Sequence, residues 1–138
     1  MSESIKTVLK QLEKYYANPP KSEADTITKV ILEILRAIGY SNDDFQQEYP
    51  VSSGKVDIAV LTEHSHAMWF IEAKAWEETL RDKEIEQTLS YVNTKGLRFA
   101  VLTNGKHWKL YDNKVQGQAS DKLVRETELS ADDSTSSL

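Results

Sequence analysis

The sequence predicts an α/β (α+β) fold in which helices cover a mixed β-sheet, and three observations carry that expectation. Apolar residues recur at helical spacing up to Gly39, the period switches to two from Phe45, and it returns to helical spacing around Ile85, Leu89 and Val92 before alternating again. Strands interrupted by a helical stretch are the pattern of a sheet with helices packed on its faces. The chain has 138 residues, 39% hydrophobic and 28% charged, enough for one domain with its own core.

Each element has a local cause. Ile5, Val8, Leu9, Leu12 and Tyr16 mark an amphipathic first helix that ends before Pro19-Pro20. Ser22 can cap a second helix, with Asp25 at its third position, a buried stripe from Ile27 to Ile38, and Gly39 as its stop. Glu23 falls on the edge of that stripe and is expected to face inward or nearly so. Strands are expected over Phe45–Val51, Lys55–Thr62 and Ala67–Lys74, the last two joined as a hairpin by Glu63–His66. A helix is expected from Trp76 to about Thr94. Leu97–Thr103 and Lys106–Tyr111 then flank Asn104-Gly105, a dipeptide preferred in type I′ turns because both central residues need φ > 0. Leu123–Leu129 offers an edge strand, and the acidic, serine-rich Ser130–Leu138 is expected to fray.

Composition excludes several functions. There is no cysteine, hence no disulfide, thiol nucleophile or thiolate metal site. The net charge of −5 leaves no general basic coat for nucleic acid, so such a partner needs a local patch or a metal. Lysines and glutamates interrupt Met1–Lys14, unlike a signal peptide, and no stretch approaches the ~18 apolar residues of a membrane span; a soluble, cytoplasmic protein is expected.

A carboxylate, any residue, then lysine can hold a divalent cation and orient a water. The triplet occurs as Glu72-Ala73-Lys74 and Asp112-Asn113-Lys114, about as often as composition alone would give, so context decides. Met68, Phe70, Glu72 and Lys74 share one face of the third strand. A hairpin centred on Glu63–His66 would pair Leu61 with Met68, Ala59 with Phe70, and Asp57 with Glu72. Two carboxylates then oppose each other with Cβ atoms roughly 4.5–5.5 Å apart, which repels unless a cation intervenes. A divalent metal resolves the repulsion, and Lys74 adds positive charge beside it. A solvated ion-pair cluster is the alternative, but the apolar neighbours argue for a covered face on which unpaired carboxylates are costly.

With Ser22-Glu23-Ala24-Asp25-Thr26 opening a helix, Val56-Asp57, Phe70-Ile71-Glu72-Ala73-Lys74, Gln87-Thr88-Leu89-Ser90-Tyr91 and Val101-Leu102-Thr103-Asn104-Gly105, the chain resembles the PD-(D/E)xK nucleases. The resemblance covers about residues 22–112 and is closest to the N-terminal nuclease domain of type I restriction endonuclease motor subunits. Val56 stands where the family's name has proline, and 138 residues are expected to leave no room for the ATP-driven motor. The resemblance implies a restriction-endonuclease-like αβββαβ core and a metal-dependent endonuclease cutting DNA. It implies Asp57, Glu72 and the Ala73 carbonyl as ligands of Mg²⁺ or Mn²⁺, and Lys74 as the residue that positions the attacking water. It also implies an assisting role for Glu23 and an element beside the active site made by Gln87 and Tyr91. For Glu23 the helix dipole is an alternative reason for an acid there, and for Tyr91 a place in the core. Residues 1–113 are then expected to be the nuclease-like domain and 114–138 an extension.

Lys95, Arg98, Lys106 and Lys109 concentrate positive charge around the Asn104-Gly105 hairpin, whose tip, with Lys106 and Trp108, could reach DNA phosphates. An ordinary solvated hairpin is the alternative. A homodimer, as in junction-cleaving enzymes of this fold, and a separate motor or specificity partner are compatible assemblies. The competing function is a catalytically silent nuclease-like module that binds nucleic acid or a partner protein.

Overall fold

A computed structural model describes residues 3–129, with side chains from Ile5. Six strands form one sheet in chain order: β1 (Phe45–Val51), β2 (Gly54–Leu61), β3 (Ala67–Ala73), β4 (Phe99–Thr103), β5 (His107–Asp112) and β6 (Leu123–Glu128). Only β3 and β4 pair in parallel; every other pair is antiparallel. The strand after residue 113 is therefore part of the same sheet, hydrogen-bonded to β5. The expected fraying of Ser130–Leu138 lies outside the described residues.

Helix α1 (Glu3–Ala17) ends ahead of Pro19-Pro20. Helix α2 runs on through three segments, Glu23–Thr26, a π-helical turn Ile27–Ile31 and Leu32–Ala37. The Ser22 hydroxyl accepts from the Asp25 amide at 3.0 Å and caps it, as the sequence predicts. Ile27, Ile31, Leu32 and Leu35 of α2 pack on Ile58, Val60, Ile71 and Val101, while α1 closes over the outer side of α2 through Leu9, Leu12, Val30, Ile34 and Trp76. The opposite sheet face is covered by α3 (Glu86–Thr94), whose Leu89 and Val92 meet Phe70, Ala100, Leu102 and Tyr111. Helix α4 is the short turn Ala119–Lys122. No helix of the described residues is long and apolar enough to cross a membrane.

Three local expectations are corrected. The helix predicted from Trp76 starts only with a 3-10 turn at Asp82–Ile85. Trp76 is buried against α1 and α2, and its amide donates to Thr26 Oγ1 at 3.1 Å, so the chain must visit one sheet face there before Leu80 and Ile85 join the other. The β2–β3 register places Ala59 opposite Phe70 as expected, but a bulge after Val60 pairs Leu61 with Ala67 and leaves Met68 exposed. The β4–β5 turn is centred one residue later than expected, on Gly105 and Lys106, because Thr103 pairs with Trp108. Gly105 has φ +94° whereas Lys106 stays in the ordinary region, the II′ pattern rather than I′. The turn is also buried rather than a solvated tip: a Cβ on Gly105 would lie 3.0 Å from Val30 Cγ1, and Asn104 Nδ2 donates to the Glu78 carbonyl at 2.8 Å.

Candidate active site

Asp57 projects from β2 and Glu72 from β3, one step beyond the Ile58–Ile71 pair, as the register predicts. The Asp57 carboxylate accepts from the Ala73 amide at 2.8 Å, which fixes it against the end of β3. Glu72 is held by Thr88 of α3, whose hydroxyl donates to Oε1 at 3.3 Å. Lys74 Nζ lies 3.6 Å from Glu72 Oε2 and 3.5 Å from Glu84 Oε2. The Lys74 amide donates to the Thr103 carbonyl at 2.8 Å, so the lysine leaves the sheet from a backbone pinned by β4.

The electrostatics follow from crowding acids in a half-buried place. Burial first, then the Asp57 charge, pushes the Glu72 carboxyl up to about 7, against the pull of Lys74 and the Thr88 hydroxyl. Burial also raises Asp57, although the Ala73 amide and Lys74 oppose it. For Lys74, burial works against the charge, but Glu72, Glu84, Glu23 and Glu78 prevail and keep it above the ordinary lysine range. Glu23 is exposed rather than turned into the core; partial desolvation and then Asp57 still raise its pKa, while Lys74 lowers it, so its carboxyl borders the pair.

Two raised carboxyls beside one retained ammonium suit a hard divalent cation. Among the described residues no three acidic or histidine side chains converge as a complete metal site. Mg²⁺ does not need them, since it is commonly held by one or two carboxylates and completes its shell with water. The pair Asp57 and Glu72 fits that donor set.

Glu72 binds its proton more tightly folded than unfolded, with a pKa of about 7 against an ordinary 4.5. Its contribution to stability is therefore complete below the unfolded value and lost as pH rises through the folded one. In EDTA, Glu72→Gln is expected to flatten the fall in Tm between about pH 5 and about pH 8 seen by scanning calorimetry. Equal declines in the two proteins would contradict this.

The remaining sequence-predicted residues are more dispersed. Tyr91 is buried in the α3-side core, where its hydroxyl would lie 2.8 Å from a Cβ on Gly54, and Gln87 is exposed on α3. Lys109 is buried and pairs with Asp82 at 3.1 Å; Arg98 makes two hydrogen bonds to Asp112, of 3.0 and 2.9 Å. Lys106 lies 5.1 Å over the Trp76 ring, Lys95 5.9 Å over Tyr49, and Trp108 Nε1 donates to the Gly105 carbonyl. Much of the positive charge around this hairpin is thus engaged within the chain. Sequence reasoning missed Glu84 and Thr88, whose signal is their spacing of four across the 3-10 turn and the start of α3. It also missed Glu48, which stands opposite Asp57 across the β1–β2 ladder with φ 50° and adds to the repulsion there.

A mixed six-stranded sheet between helices, carrying an α-β-β-β-α-β core, defines the class by its fold: restriction-endonuclease-like. The chain belongs to the family of the type I restriction enzyme R protein N terminus (HSDR_N), whose model matches residues 26–125. It is also similar in fold to a chain described as a putative HsdR subunit of a type I restriction enzyme from Vibrio vulnificus YJ016, solved as a fragment. That match has a TM-score of 0.62 and 19% identity, and covers 81% of this chain and 24% of the other. No curated protein matches.

Proposed function

We propose that the chain is a nuclease domain that hydrolyses DNA phosphodiesters with Mg²⁺ or Mn²⁺, acting in the cytoplasm with motor and specificity functions supplied by partners. The observation that carries this reading is the apposition of Asp57 and Glu72 with Lys74 held between Glu72 and Glu84. Asp57, Glu72 and the Ala73 carbonyl would hold the cation. When bound, it would neutralise charge on the phosphoryl oxygens and lower the pKa of the attacking water. Lys74, kept as an ammonium by four acids, would orient that water and face the phosphate. Thr88 and Glu84 hold Glu72 and Lys74 in place, and Glu23 borders the site from α2. Membership of the R-protein family supports a restriction-related role and DNA as the partner.

Calorimetric titration with Mg²⁺ and Mn²⁺, alongside a cleavage panel of single-stranded, duplex and branched DNA, tests this. Metal binding together with metal-dependent cutting is expected. No heat of binding with metal in large excess would favour the silent-module reading.

A further inference from the structure

Below the start of α2, the end of α1 and the Pro19-Pro20 turn enclose a cleft of about 200 Å³ lined by Lys14, Tyr15, Lys21, Asp25 and Lys29 together with Asn18 and the two prolines. Its lysines differ from several other cations of the chain. Lys74, Arg81, Arg98 and Lys109 all form ion pairs, whereas Lys14, Lys21 and Lys29 have no acid within ion-pair distance among the described residues. All three are exposed, and Asp25 is the single acid in the lining.

Free lysines in a concave place, in a chain whose net charge is −5, form a local attraction for a polyanion that the average charge conceals. The cleft also adjoins the acids. Glu23, whose carboxyl feels Asp57 and Lys74, and Lys29, which lines the cleft, belong to one helix and are separated by about 9 Å along its axis at 1.5 Å per residue. Tyr15 adds a half-buried aromatic wall.

We infer that this α1–α2 cleft is a phosphate-backbone binding site for duplex DNA, which Lys14, Lys21 and Lys29 engage while the neighbouring phosphates lie over the carboxylate site. The inference rests on the nuclease reading for its substrate, but its test does not depend on cleavage.

Binding of the full chain to a short duplex, followed by fluorescence anisotropy in EDTA over a series of salt concentrations, reads the interaction directly. Removing one lysine that neutralises a phosphate should lower the slope of log K against log salt by about 0.9, so the double change Lys14→Ala with Lys29→Ala should lower it by about 1.8 and weaken binding at low salt. The double change Lys114→Ala with Arg125→Ala alters net charge equally at two residues that do not line the cleft and should leave the slope as it was. Circular dichroism melting verifies that both double variants are folded. Equal slopes for the two doubles, or a wild-type chain whose binding has no salt dependence, would overturn the cleft. A chain that binds through these lysines but never cuts with Mn²⁺ would instead sink the nuclease reading and leave the cleft standing.

Discussion

Asp57→Asn and Lys74→Ala are each expected to lower metal-dependent DNA cleavage by about 10²-fold or more, the scale seen when one electrostatic element of a preorganised site is removed. The asparagine variant is the informative one at Asp57. It retains an oxygen to accept the Ala73 amide at 2.8 Å, so the end of β3 stays anchored while the charge is gone. Asp57→Ala would in addition leave that amide without its acceptor, at a cost of about 1–3 kcal/mol. Lys74→Ala acts differently: Glu72 and Glu84 lose their shared counter-charge, so Glu72 should bind its proton still more tightly. Timed cleavage assays with Mn²⁺, paired with thermal melts, separate lost chemistry from lost fold. Metal-dependent cutting at the wild-type rate by either variant would refute the assignment.

Trp76→Ala should be the most damaging single truncation of the core. Trp76 is 1% exposed, its ring meets Tyr15 and Tyr16 at centroid distances of 6.1 and 5.2 Å, and Lys106 lies over it. Large aromatic truncations cost about 3–5 kcal/mol. For a domain of this size that corresponds to a fall in Tm of about 10–20 °C. The bond from the Trp76 amide to Thr26 survives the change, but the ring that packs with Val30 and Ile34 of α2 and with Leu9 and Leu12 of α1 is lost, so α2 should also loosen near the turn that carries Glu23. A melt within about 3 °C of wild type would show that the cluster is less cooperative than its burial suggests.

The strands were legible because each has its own alternation and short connections, and β1 needed nothing else. The Asp57–Glu72 apposition was legible from the alternation of the two strands, and it holds on the far side of a bulge that shifts the pairing next to the turn to Leu61 with Ala67. What escaped was decided by tertiary contact. Nothing local says that Trp76 belongs with α1 and α2 rather than with the helix that follows it. Nothing in Asn104-Gly105 shows that Val30 and Glu78 will bury it. The cations at Arg98 and Lys109 read as a basic patch because their partners, Asp112 and Asp82, are fourteen and twenty-seven residues away in the chain and arrive only through folding.

The consecutive strand order also sets how the chain can acquire its sheet. Four of the five pairings join neighbours in sequence across hairpins or short connections, which contribute little to contact order and can form early. The parallel β3–β4 pair alone must wait for a long crossover to close. Lys74 leaves β3 at that seam, its amide bonded to Thr103, and Thr88 reaches Glu72 from the crossover helix itself. Assembly of the carboxylate-lysine cluster thus coincides with the slowest topological step, so two separately formed meanders acquire the site's geometry only when they join.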